Sequence, residues 1–210
     1  MYLPTQFAED RKDVLHAAMR AAGLATLVTM TEDGLIASHV PLMLDPDAGP
    51  HGTIYGHLAR ANPQATAEPV GEALAIFTGP DAYITPSWYE AKREHGRVVP
   101  TWNYVAIHAY GTLEVFDDAE RLHALVSRLT NKHEAARPQP WAVDDAPAPF
   151  VQGQLKGIRG FALPISRLQG KWKMSQNRAE ADRAGVVAGL AEQGRDEVAA
   201  LVAGPSVSSR

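Results

Sequence analysis

No cysteine occurs in the 210 residues, so disulfides, thiolate nucleophiles and cysteine-bound zinc or iron–sulfur clusters are excluded. Long apolar runs are also missing, and none approaches the roughly 20 residues that span a bilayer. The opening MYLPTQFAEDRKD has no basic n-region and no apolar h-region, so a cytoplasmic location is expected. A cationic excess is lacking too. Lys and Arg total 20 against 24 Asp and Glu, a formal net charge of −4, which weighs against broad electrostatic binding to nucleic acid. There is no G-x-G-x-x-G loop and no G-x-S-x-G elbow. His39, His57 and His108 stand on expected strands without ligand spacing or an accompanying carboxylate, so no metal site is expected.

What is there is a soluble globular composition, 45% hydrophobic and 21% charged, long enough to bury a core unaided. Helical spacing of Val14, Leu15, Ala18, Met19 and Ala22 predicts a helix over 7–22, stopped at Gly23. LATLVTM (24–30) and LIASHVPLML (35–44) read as strands joined by a hairpin at Asp33-Gly34. GTIYGHL and EALAIFTG (72–79) are further strands, and GPDAYITPSWYEAK reads as a structured loop with a short strand. Asn103 to Phe116 reads as one long strand bent at Gly111. Asp117 or Asp118 caps a helix bearing Leu122, Leu125, Val126 and Leu129 on one face. RPQPWAVDDAPAPF reads as a loop or linker, and Phe161 to Met174 as β-structure. Asn177 with Glu180 predicts a capping box for a final helix, and a short helix follows Gly194, with a frayed tail. Strands without regular βαβ alternation predict a mainly β (α+β) fold with a closed or sandwiched core.

GHLARANP (56–63) is the most informative stretch. It follows a strand, and it ends on Asn62, a good N-cap, and Pro63, suited to the first helical position. Free amides at a helix start, with Arg60 just upstream, form a cradle for a phosphate, or else an ordinary strand-to-helix turn with a surface arginine.

The chain resembles the PaiB-type FMN-binding negative transcriptional regulators, within the pyridoxamine-phosphate-oxidase-like split barrels. The likeness rests on ATLVT (25–29), SHVPLML (38–44), GHLARANP, AIFTGPDAYITPSWY (75–89), HGRVVPTWNY (95–104) and KMSQNR (173–178). It implies a six-stranded antiparallel split β-barrel with flanking helices over 1–174. Residues 175–210 are expected to form a C-terminal helical hairpin packed on it. It further implies a homodimer with FMN held in a composite site.

The same resemblance points to Ser38, His39 and Pro41 on the second strand, and to His57, Arg60, Ala61 and Asn62 on the third strand and its turn. Pyridoxamine phosphate oxidases proper carry a cation at each end of the second strand; here Ser38-His39 and Leu44 stand there, so phosphate binding leans on Arg60, backbone amides and Lys173. Trp102, Asn103 and Tyr104 are expected to line the isoalloxazine, which needs an apolar stacking surface and a few polar groups. SQNR (175–178), with Gln176 and Asn177, is expected to supply polar contacts to the same pocket, or else simple helix capping by Asn177. The catalytic residues, if any, are not legible. The alternatives to a regulator are an FMN-dependent oxidoreductase and a haem-handling split barrel. Direct DNA binding is doubtful, because the only helix–turn–helix candidate, around Gly194, opens its second helix with Asp196 and Glu197.

Overall fold

The computed structural model describes residues 1–204. A short strand, β1 (Ala8–Glu9), precedes α1 (Lys12–Ala21). The predicted helix thus starts late, because Ala8 and Glu9 are taken by strand pairing and the Glu9 carboxylate accepts from the Arg11 backbone N–H at 2.9 Å. β2 (Ala25–Thr31) and β3 (Gly34–Val40) form the predicted hairpin around Glu32 and Asp33, with Gly34 at φ +111°. Pro41 ends β3, and β4 (Met43–Asp45) belongs to a different sheet. β5 (Thr53–Ala59) leads into α2 (Pro63–Thr66), as the turn chemistry predicts.

β6 (Ala73–Ile84) runs five residues beyond its expected end, and α3 (Glu90–Glu94) follows. The long run to Phe116 is two strands, β7 (Thr101–Gly111) and β8 (Glu114–Phe116), in different sheets. Asp118 caps α4 (Ala119–Glu134), accepting from Arg121 N–H at 2.8 Å. The Pro-rich segment holds α5 (Ala148–Leu155), where proline in the first turn starts a helix rather than preventing one. β9 (Ile158–Pro164) and β10 (Arg167–Lys173) then divide between the sheets. α6 (Glu180–Glu192) and α7 (Asp196–Ala203) close the chain, with Gly194 between them at φ +68°. The expected capping box does not form: Ala179 is the N-cap of α6, because a turn from Ser175 O to Arg178 N (3.0 Å) delays the helix. The expected frayed tail lies outside the described residues.

One sheet has the order β1-β10-β7-β6-β2-β3 and the other β4-β5-β9-β8; they do not close into one ring. The pairings β2–β3, β2–β6, β5–β9 and β8–β9 are antiparallel. The chain divides into two compact units. The first comprises Met1–Leu15, Thr78–Ile107 and the described residues from Gln169 on; the second comprises His16–Phe77 and His108–Leu168. In the first, Val186, Leu190, Val198 and Val202 of the helical hairpin share a core with Ala82, Ile84, Tyr89, Val105 and Met174. In the second, Leu122, Leu125 and Leu129 of α4 pack on Met43, Phe116 and Leu155.

Candidate functional site

The β5–α2 turn lies in the second unit. Asn62 Oδ1 accepts from the Gln64 N–H at 2.9 Å, and its Nδ2 donates to Ser38 Oγ at 2.9 Å. Gln64 is buried, and its Nε2 reaches Leu27 O (3.0 Å), Thr29 Oγ1 (3.0 Å) and Ile36 O (3.2 Å), tying α2 to both strands of the hairpin. His39 Nδ1 sits 3.0 Å from Thr26 Oγ1. Ala61 is an exposed turn residue, and Asn62 N–H bonds Ala59 O at 2.9 Å. Sequence reasoning missed Gln64, since nothing in its spacing announces a buried amide.

Arg60 donates from Nε to Lys156 O (2.8 Å) and from Nη2 to Asp117 Oδ1 (2.8 Å) and Ile158 O (3.2 Å). Arg159 grips the same carboxylate, with Nη2 to Oδ2 at 2.8 Å, and sends Nη1 to Ala65 O at 2.7 Å. Arg159 first, then Arg60, holds the Asp117 carboxyl below its usual range. The phosphate cradle expected at this turn is thus largely filled by the chain's own groups.

Pro41 and His57 come together in a neighbouring groove of about 340 Å³, with Val126, Leu129, His133 and Trp141. His57 Nδ1 is buried without a hydrogen-bond partner, and burial pulls its pKa down, so the ring is neutral near pH 7.

A second polar site lies in the first unit. Asn103 is 0% exposed, and its Nδ2 donates to Ser175 Oγ at 3.0 Å. Ser175 is itself buried at φ +61°, the one non-glycine residue of positive φ among those described. Lys173 Nζ bonds Thr101 Oγ1 and Trp102 O, the latter at 2.6 Å. Burial, then Lys171 and Arg178, lowers the Lys173 pKa. Thr101, Asn103, Lys173, Ser175, Asn177 and Arg178 surround a cavity of about 110 Å³, completed by Val99 and Pro100. Its lining holds two cations and no carboxylate.

Of the remaining expected residues, Trp102 is 54% exposed and meets Tyr83 edge-on at 6.0 Å. Tyr104 lies under the Lys171 ammonium at 5.2 Å. Gln176 is spent locally, donating to Trp172 O and accepting from Met174 N–H at 2.6 Å. Arg178, expected with Ser175 to Asn177 as a polar contact, stands over the Tyr89 ring at 4.6 Å. Among the described residues no group of three or more His, Cys, Asp or Glu is arranged to hold a metal ion, and no helix is long and apolar enough to cross a membrane.

Residues 1–167 match the family described as "Putative FMN-binding domain". The chain belongs to this FMN-binding family. Within it the chain is PaiB-type. It is 36% identical over 188 residues to the protease synthase and sporulation protein PAI 2 of Bacillus subtilis (strain 168), covering 89% of this chain and 87% of that protein. It is 35% identical over 232 residues to the protein AN0679 of Emericella nidulans, covering 93% and 92%. Among solved structures, it is similar to the conserved hypothetical protein Rv2991 of Mycobacterium tuberculosis (TM-score 0.56, 11% identity, 86% of this chain and 95% of that one). It is also similar to the flavocytochrome Anf3 of Azotobacter vinelandii (TM-score 0.54, 16% identity, 85% and 75%). The fold of this PaiB-type protein is the split barrel, and its cofactor is FMN. FMN carries a phosphate, ring carbonyls and a large planar face. The carboxylate-free cavity around Lys173 and the desolvated Asn103–Ser175 pair fit such polar groups, and exposed Trp102 fits the face.

Proposed function

We propose that this PaiB-type protein is an FMN-dependent regulatory flavoprotein that works as a homodimer. In this reading the polar end of the flavin is held by Lys173, Asn103 and Asn177, with Trp102 and Tyr104 beside the ring. The observation that carries the reading is the cavity between Thr101 and Arg178, which is cationic, has no carboxylate in its lining and is built on Ser175 at positive φ. Lys173 and Arg178 supply positive charge, and the Asn103 amide is fixed by Ser175 so that it meets a ligand without reorganising. When bound, FMN supplies hydride or one-electron chemistry.

The regulatory role runs through the flavin or a further ligand rather than through DNA contact by the helical hairpin. Val198, Ala199 and Val202 of α7 are consumed in the core, its first turn is acidic, and Arg195 is engaged with Asp81. Such a helix offers a major groove neither free polar nor basic residues.

A flavin titration followed by absorbance tests the site. Lys173→Ala should weaken FMN binding by about tenfold or more, the worth of a charge-assisted hydrogen bond. Arg60→Ala should leave it unchanged, because in this reading the flavin is held around Lys173 and Arg60 does not line that cavity. The opposite pattern would return the phosphate to the β5–α2 turn.

A further inference from the structure

The second unit contains a cavity of about 310 Å³ between the end of β5, the start of α4 and the end of α5. Its lining includes Arg60, Asp117, Leu122, Gln152, Leu155 and Lys156. We propose that this cavity is a binding site for a small amphipathic carboxylate, an anionic head on an apolar body. The site is additional to the flavin site.

The polar side of the cavity has unused donors. The Lys156 ammonium and the Gln152 amide have no partner among the described residues, and Arg60 commits Nε and Nη2 but not Nη1. The negative charge of Asp117 is offset here, because Arg60 and Arg159 both bond its oxygens. Arg60 and Lys156 line the cavity against the single lining carboxylate of Asp117, so its charged lining is net positive. Ala119, the first residue of α4, also lines the cavity, and the start of that helix is already capped by the Asp118 carboxylate. The nearby basic residues later in the chain are engaged: Arg159 holds Asp117 and Arg167 lies over Tyr110 near Glu72.

The rest of the wall is apolar. Leu122 and Leu155 are core residues, 2% and 8% exposed, that turn part of their surface to the cavity. An inorganic phosphate leaves these walls uncovered. The ribityl chain that follows the FMN phosphate is a polyol, and leucine side chains would strip its hydroxyls of water without replacing the hydrogen bonds. A carboxylate with a short hydrocarbon or aromatic body satisfies both ends.

The test uses the FMN-loaded full-length protein, with hexanoate as probe and 1-hexanol as its uncharged counterpart. Backbone amide shifts are followed by NMR. Hexanoate should give saturable shifts at residues 119–122 and 152–157, 1-hexanol should not, and FMN should stay bound. Lys156→Ala, an exposed position whose loss spares the core, should weaken hexanoate at least about tenfold. Gln152→Ala should weaken it less. Equal response to 1-hexanol, no response at all, or indifference to Lys156→Ala overturns the proposal. Release of FMN by hexanoate also overturns it, since the cavity would then belong to the flavin site.

Discussion

Single residues in this protein are decided by where their polar atoms end up. Asn62 serves as N-cap to α2 and as donor to Ser38 in one side chain. Asn62→Ala should therefore cost about 1–2 kcal/mol in denaturant unfolding, the upper range for a cap. His57 is a second case. Burial depresses its folded-state pKa below that of the unfolded chain, so on acidification the unfolded state takes up the proton first. The contribution of His57 to stability is complete above about pH 6.5 and declines as pH falls below it. His108 is depressed in the same direction, mainly by burial. Melting temperature should accordingly drop between pH 7.5 and pH 5.5, and His57→Gln should flatten that drop. A pH-independent melting temperature would contradict the burial of both rings.

At the scale of elements, glycines and prolines decide which sheet a strand enters. The run from Asn103 to Phe116 looks continuous because its apolar alternation hardly breaks. The chain passes from one sheet to the other after Gly111, where an added Cβ would collide with the carbonyl oxygen of Pro164. Backbone cannot yield there as a flexible side chain could. Gly111→Ala should cost about 2–3 kcal/mol, at the severe end for overpacking, measurable as a lowered denaturation midpoint. The same misreading merged β9 with β10, which part at Pro164 and enter separate sheets. α5 was hidden because Pro147 at its N-cap and Pro149 in its first turn look like linker residues until the helix they start is seen.

At the scale of the molecule, the helical hairpin is core rather than appendage. Val186, Leu190 and Val202 are 0% exposed, and Gly185 and Gly189 admit Trp88 so closely that a Cβ at either would clash with it. A chain truncated after Met174 should lose the cooperative near-ultraviolet signal of the folded protein, because the first unit would expose the apolar faces of Ile84, Tyr89 and Val105. A truncated chain that keeps that signal would make the hairpin dispensable.

The amino-acid sequence by itself determined those elements whose start signals are local, and roughly where they begin. Period-2 alternation, the Asp33-Gly34 hairpin, the Asn62-Pro63 start of α2 and the Asp118 cap are all local, and local chemistry is written along the chain. It also carried the family, through motifs too long to arise from secondary-structure needs alone. Tertiary structure decided the rest. Whether Arg60 is a free cation or half of an ion pair depends on Asp117, 57 positions away. Whether Asn103 is a core amide or a surface one depends on Ser175, 72 positions away. Those distances close only when sheet register sets them, and register follows from the packing of whole strands, which no short window of sequence contains.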